Sequence, residues 1–210
     1  MAWWLLIGTW ISLLATSLIG CSSGNSSSLP IYNEVPVFSL TNQNGHVLTN
    51  SDLSGKVILA NFVFTNCTQY CLTLSPRMSQ IQESLSDGEL LGDQVILLSF
   101  SMDPENDTPE TLLSYANTYG ANHDMWQFLT GPADSMRELI TGGFKLGFQK
   151  VNQNKEHHHD DGSIHIHEYD ILHTNRVILW DKKGRVRAYY DGALDWDMAT
   201  ILRDIGQLAD

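Results

Sequence analysis

A chain of 210 residues suits one domain of moderate size with a sizeable core, and neither repeats nor a second domain are evident. It carries 24 acidic residues against 12 basic ones, so the formal net charge of -12 argues against nucleic acid or an anionic surface as a partner. A cation or a basic protein suits this charge better.

The N-terminal stretch has the pattern of an export signal. An apolar run over residues 3–19 leads to Gly20 and Cys21, and a Ser-rich stretch follows. This pattern resembles a bacterial lipoprotein signal in which Cys21 is lipidated, so we expect a signal peptide over 1–20, a flexible tether over 21–34 and a globular domain over 35–210. The domain would be membrane-anchored outside the cytoplasm, on the periplasmic side. Because no Lys or Arg precedes Lys56, a single uncleaved membrane helix is the alternative.

The globular part alternates apolar runs with turn residues and helical periodicity. In chain order, the predicted elements are a hairpin (35–40 with 46–48), a buried strand (57–64), a helix (72–87), a second buried strand (94–102), a helix (109–119), a third strand (126–130), a short helix (134–140) ended by Gly142-Gly143, an extended stretch (144–151), a hairpin (176–180 with 185–190) and an amphipathic helix (195–208). Pro76 predicts an N-terminal turn or a kink rather than an uninterrupted helix, whereas Thr108 and Pro109 form a typical helix start.

This order of elements predicts an α/β fold. A βαβ half followed by an antiparallel ββα half is the thioredoxin-like arrangement, a mixed sheet flanked by helices, here with an N-terminal hairpin and a His-rich insertion. Sheets of this class place ligands at the carboxyl ends of their strands, which is where Cys67 and Cys71 follow the first core strand.

Cys67 and Cys71 are the candidate reactive groups. If both open a helix, the spacing of four puts their sulfurs on one face, close enough to bind one metal ion or to form a disulfide. A helix N-terminus also favours the thiolate, which is both the metal ligand and the nucleophile. The residues alone therefore leave open a soft-metal site, a redox-active pair or two inert buried cysteines.

Three blocks of sequence carry a family resemblance: residues 61–71, residues 101–110, and residues 169–174 followed by the turn at 181–184. Together they resemble the Sco/SenC family of copper chaperones, from about Val35 to the C-terminus. The resemblance implies one copper ion, Cu(I) or Cu(II), bound by Cys67, Cys71 and His173. It also implies delivery to the binuclear copper centre of cytochrome c oxidase, whose copper-bearing subunit would be the partner. Two thiolates and one imidazole are a soft, low-coordinate set suited to Cu(I), whereas zinc usually takes a fourth ligand.

Three positions near the cysteines differ from the family pattern. Thr68 and Leu72 stand where the family usually has proline, and Gln69 stands within the loop where an acidic residue is usual. These differences predict a looser loop with less negative charge near the metal.

A polar segment over residues 152–170 contains five further candidate ligands, namely His157, His158, His159, His165 and His167. Alternating His165 and His167 share one face of an extended strand, and the triplet lies beside two aspartates, so the cluster suits Cu(II), Ni(II) or Zn(II). We expect either an auxiliary metal-acquisition site or a solvated polar insertion.

The alternative function is that of an extracytoplasmic thiol-disulfide oxidoreductase or a peroxide-reducing enzyme, with Cys67 and Cys71 as a redox-active disulfide. Dedicated redox motifs of this fold typically have two intervening residues, whereas three separate these cysteines. A metallochaperone would not be an enzyme. A membrane-tethered copper sensor or scaffold is a third interpretation, and other extracytoplasmic copper or thiol proteins are further candidate partners.

Overall fold

The computed structural model describes residues 29–67, 71–88, 94–158, 164–173 and 175–210, with the backbone alone at 148, 152–158, 164–170, 172 and 173. The predicted signal peptide, Cys21, Thr68, Gln69 and His159 lie outside the described residues. No helix within the described ranges combines the length and apolar character needed to cross a membrane.

The described chain forms strands and helices in alternation. The strands are β1 Asn33–Glu34, β2 Ser39–Asn42, β3 Val47–Thr49, β4 Val57–Val63, β5 Val95–Ser101, β6 Trp126–Thr130, β7 Phe148–His158, β8 Ile164–His173, β9 Arg176–Trp180 and β10 Arg185–Asp191. The helices are α1 Cys71–Asp87, α2 Pro109–Thr118, α3 Ala133–Arg137 and α4 Met198–Ala209, with a 3-10 turn at Asn50–Leu53 and a π-helical turn at Glu138–Gly143.

Eight of these strands form one mixed sheet in the order β1-β10-β9-β4-β5-β6-β2-β3. Strands β4, β5 and β6 are parallel, and β9 is antiparallel to β4. Strands β7 and β8 pair with each other as a separate antiparallel sheet, called the ribbon below. The predicted α/β mixed sheet with flanking helices is confirmed, as are the N-terminal hairpin β2–β3 and the C-terminal hairpin β9–β10.

The centre of the sheet is apolar on both faces, because every residue of β4 and β5 is buried. On one face Phe62 stacks on Phe100, and Phe144 packs against both rings. On the other face Trp126 Nε1 donates to Ser99 Oγ at 2.9 Å, and helix α1 packs its buried stripe. Continuous burial of this kind is typical of parallel strands covered on both sides.

Residues 29–34, the end of the predicted tether, lie against β10 in the structure. Strand β1 pairs with Val186 and Arg185, and Arg187 donates hydrogen bonds to the carbonyl groups of Leu29 and Pro30. These contacts involve backbone groups that a solvated tether would leave to water.

Helix α1 continues from Cys71 through Pro76 to Asp87, so the predicted N-terminal turn at Pro76 is wrong, whereas the alternative of a kink there stays a prediction. The missing N–H of Pro76 would have bonded to the carbonyl of Leu72, four residues earlier, and the Leu72 side chain is 58% exposed. Water can therefore satisfy that carbonyl, while the buried residues Leu74 and Met78 hold the helix on the sheet.

The region after β6 also differs from prediction. Helix α3 ends at Arg137 and continues as the π-helical turn, so Gly142 and Gly143 lie inside a helical turn instead of ending one. A Cβ on Gly143 would come within 2.2 Å of Pro36 Cγ, which explains the glycine. The extended stretch begins at Phe148 rather than at 144, and much of the predicted polar segment is paired in the ribbon.

Candidate metal centre

Cys67 and Cys71 lie at the carboxyl end of β4, as expected, but only Cys71 belongs to the described helix. Cys71 is the first residue of α1, and Cys67 lies in the preceding turn, where its N–H donates to the carbonyl of Phe64 at 3.1 Å. The condition that both cysteines open a helix is therefore not met. The two residues nevertheless lie close together, because the Cys71 backbone N–H donates to Cys67 Sγ at an N to S distance of 3.4 Å.

Both cysteines are buried thiols, with 8% of Cys67 and 2% of Cys71 exposed, and no disulfide links them. A hydrogen bond to Cys67 raises the pKa of Cys71, and burial and the negative charges of Cys67 and Asp107 raise it further. The second ionisation of this pair is therefore unfavourable on its own. A cation placed between the sulfurs would remove that cost, and its binding would release the proton.

Asp107 holds the turn that leads to Cys67, a role that sequence reasoning missed. Its carboxylate is fully buried and accepts hydrogen bonds from Thr65 N–H at 3.1 Å, Thr65 Oγ1 at 2.6 Å and Ser101 Oγ at 2.6 Å. Burial raises the pKa of Asp107, although these hydrogen bonds oppose the shift. Asp107 lies within the block 101–110 used for the resemblance, but the sequence does not distinguish it from the other acidic residues of that loop.

Tyr115 of α2 also lies near the cysteines. Its hydroxyl lies 2.8 Å from Ser75 Oγ, one turn along α1 from Cys71. Burial raises the pKa of Tyr115, and the charge of the nearby Cys71 raises it further. The thiols therefore lie between α1 and the β5–α2 connection.

His173 is the last residue of β8, and its backbone pairs with Phe148. Two residues later, the carbonyl of Asn175 accepts a hydrogen bond from Gly192 N–H at 2.9 Å. Two residues of chain span at most about 7 Å, so the His173 backbone lies near this contact.

Gly192 in turn lies on the first turn of α1. A Cβ at this position would come within 2.3 Å of the Asn175 carbonyl oxygen and 2.9 Å of Leu74 Cδ1, so only glycine fits without a shift. Arg77 of α1 donates to the carbonyls of Gly192 and Ala193 at 2.5 and 3.2 Å. These contacts bring the end of β8 to the helix that begins at Cys71.

The described side chains alone contain no group of three or more His, Cys, Asp and Glu residues that could hold a metal. A metal ion bound at the cysteine pair would therefore need a further ligand from outside the described side chains. The backbone of His173 lies at the appropriate end of the fold to supply it. Of the other predicted ligands, His157 and His158 lie on β7, and His165 and His167 on β8.

A βαβ unit with a cysteine pair between its first strand and helix, followed by a ββα unit in the same mixed sheet, defines the thioredoxin-like class. The SCO1/SenC family model matches residues 29–210, and the chain therefore belongs to this family. A curated relative, the SCO1 protein homolog of Bacillus subtilis, is 31% identical over 185 residues, which cover 88% of this chain and 91% of the relative.

Solved structures agree with this assignment. A SCO1/SenC family lipoprotein from Bacillus anthracis matches with a TM-score of 0.71 and 27% identity, over 85% of this chain and 96% of that one. BsSco, described as a member of the Sco family of cytochrome c oxidase assembly proteins with a disulfide switch, matches with a TM-score of 0.68 and 29% identity, over 86% and 96%. ScoI of Bradyrhizobium japonicum with copper bound matches with a TM-score of 0.66 and 25% identity, over 83% and 99%. The predicted thioredoxin-like fold is thereby confirmed.

Proposed function

We propose that this chain is an extracytoplasmic copper chaperone. It binds one copper ion through Cys67, Cys71 and His173 and delivers it to the binuclear copper centre of cytochrome c oxidase. The contact between Cys71 N–H and Cys67 Sγ at 3.4 Å carries the proposal, because it holds two buried thiols where one soft ion can replace their proton. The copper bound to ScoI and the oxidase assembly function of the family of BsSco support the cargo and the recipient.

The ligand number suits transfer. Three protein ligands leave the coordination of copper open, so that ligands of the oxidase subunit can enter before those of the donor leave. Asp107 and Thr65 keep the first cysteine in position during this exchange. Lipidation of Cys21 would hold the domain at the membrane surface on the side where the oxidase copper centre is assembled, and the B. anthracis lipoprotein supports this anchor.

Copper titration of the purified, reduced chain tests the ligand set. We expect one Cu(I) per chain in competition with a Cu(I)-specific chelator, and a loss of affinity of about tenfold or more in His173→Ala. His46→Ala is the matched control, because His46 is exposed beside the β2–β3 turn. Full-strength binding by His173→Ala would remove this histidine from the site.

Transfer is tested separately by mixing the copper-loaded chain with the apo copper domain of the oxidase and separating the two proteins. We expect the copper to move to the oxidase domain. Retention of all copper by the chain would contradict a delivery role.

Thiol-disulfide oxidoreduction is the second candidate function, favoured by the hydrogen-bonded thiols and by the disulfide switch of BsSco. Reduction of insulin disulfides separates the two functions, because a reductase has no need of His173. A His173→Ala chain that loses copper but reduces insulin at a catalytic rate would favour the oxidoreductase. A chain inactive towards insulin in both forms would favour the chaperone.

A further inference from the structure

The ribbon has a defined register at its histidine-bearing end. Strands β7 and β8 are antiparallel, and His157 pairs directly with His165. The neighbouring pairs are His158 with Ile164 and Lys155 with His167. Because of this register, His157 and His158 have different partners on β8, although they are adjacent in sequence.

Register partners lie on the same face of an antiparallel pair, and residues two apart along a strand share a face. His157, His165 and His167 therefore occupy one face of the ribbon, whereas His158 occupies the opposite face with Ile164. The Cβ atoms of register partners are about 4.5–5.5 Å apart, and an imidazole nitrogen binds a metal at about 2 Å. Two imidazoles on such a pair can therefore reach one ion.

The ribbon is tied to the domain at its other end, where Ile171 is 3% exposed. Lys150 Nζ lies 2.9 Å from Glu105 Oε2 and 3.8 Å from Asp103 Oδ1. His173 lies at this tied end, eight residues beyond His165. At about 3.3 Å per residue these two histidines are roughly 26 Å apart, so they cannot ligate the same ion.

We propose that His157, His165 and His167 form a second metal site, separate from the thiol site and selective for a divalent ion of borderline softness. Imidazole ligands suit Cu(II), Ni(II) and Zn(II), and among these Cu(II) binds most tightly. Without thiolates, the site lacks the soft ligands that favour Cu(I). Of the five histidines predicted as an auxiliary metal site, the register excludes His158 from this face, and His159 lies outside the described residues.

The test is a Cu(II) titration of the full chain carrying Cys67→Ser and Cys71→Ser, with circular dichroism to confirm folding. Electron paramagnetic resonance should show nitrogen ligands, and Zn(II) should compete more weakly. We expect His157→Asn and His165→Asn each to lower the Cu(II) affinity by about tenfold or more. His158→Asn is the matched control and should change it less than about twofold.

The His158→Asn control distinguishes a metal site whose ligands are selected by the strand register from a histidine-rich segment in which any histidine can bind. An equal loss in His158→Asn and His157→Asn would overturn the proposal, because a tract without register makes no distinction between them. Unchanged affinity in His157→Asn would overturn it as well. Since the titration omits the thiols, its outcome is independent of whether the chain delivers copper.

Discussion

At the cysteine end of the central sheet, Asp107 is buried among neutral hydrogen-bond donors, whereas at the opposite end Asp181 is buried between two arginines. The ends are opposite because Asp181 follows β9, which runs antiparallel to β4. Burial opposes ionisation of Asp181, but hydrogen bonds from Arg185 and Arg187 outweigh it and lower the pKa to about 2. At Asp107 the balance is reversed, and burial raises the pKa.

The difference separates a carboxylate with a compensated charge from one that lies beside the proposed copper site without such compensation. Asp181 joins the β9–β10 turn to Arg187, which in turn holds the carbonyls at residues 29 and 30. Its charge is compensated and stabilises the fold. Asp107 keeps a buried carboxylate beside Cys71 without an arginine donor among its described hydrogen bonds, at a cost in stability at neutral pH. Such a cost is typical of functional sites.

Removing the compensated charge should have the largest effect on stability. Asp181→Asn leaves Arg187, whose side chain is 10% exposed, without its charged partner, so we expect the free energy of unfolding to fall by about 3 kcal/mol at pH 7. Chemical denaturation measures this change. Cu(I) affinity should stay unchanged, because Asp181 lies at the other end of the sheet. A loss of copper binding without loss of stability would break the comparison.

The direction of the pKa shift at Asp181 can be checked by measuring the stability of the wild-type chain and of Asp181→Asn at acid pH. The folded pKa of Asp181, about 2, lies below its ordinary value of 3.8, so its contribution is fully present above about pH 4 and is lost as the pH falls through 2. The wild-type chain should therefore lose about 2 kcal/mol more than Asp181→Asn between pH 4 and pH 2. Asp107, with its raised pKa, contributes in the opposite direction, since its protonation favours the folded state. Parallel stability curves for the two proteins would contradict the assignment.

The next effect concerns the carboxylate at the cysteine end. Asp107→Ala removes the acceptor for Thr65 N–H and Oγ1, which frees the turn before Cys67, so we expect Cu(I) affinity to fall about 10- to 100-fold. Competition with a Cu(I) chelator measures it. Asp124→Ala, at an exposed loop position, is the control and should bind copper normally. If Asp107→Ala unfolds the chain, Asp107→Asn, which retains one acceptor oxygen, provides the test.

The smallest effect is expected at the surface of the cysteine end. The pair Lys150–Glu105 is solvated, with side chains 35% and 66% exposed, so Glu105→Gln should leave the free energy of unfolding almost unchanged. A double-mutant cycle with Lys150→Met isolates the coupling between Lys150 and Glu105, which should vanish near 1 M salt. A large coupling that does not depend on salt would show that charge stabilises this end of the sheet in the same way as the end at Asp181.

Apolar runs and helix-capping residues, which are read from neighbouring positions in the chain, correctly predicted several elements. The buried strand β6 has the predicted bounds, and α2 begins as predicted, with the Thr108 side chain accepting from Thr111 N–H and Pro109 as the first helical residue. These features depend on residues close together in the chain. The two cysteines were identified as a pair for the same reason, because they lie only four positions apart in the chain.

Features set by distant residues were not predictable in this way. The ribbon is mostly polar and alternates apolar and polar residues only at the start of β8, so the sequence did not indicate which residues pair, and the register depends on contacts between the two strands. The burial of Asp107 depends on Thr65, 42 residues earlier. The close packing of Gly192 depends on Leu74 and Asn175, and a glycine after a strand gives no sign of either.

The packing at Gly192 has a consequence for genetics. Any side chain there must push Asn175 away from α1, and with it the end of the strand that carries His173. Under the proposed function, a mutational scan scored on oxidase assembly should therefore mark Gly192 as intolerant, even to alanine. Such a position would be mistaken for a ligand or a partner contact, although it has no side chain to offer. Its phenotype should resemble that of His173→Ala, and strains carrying either substitution should respond alike to added copper.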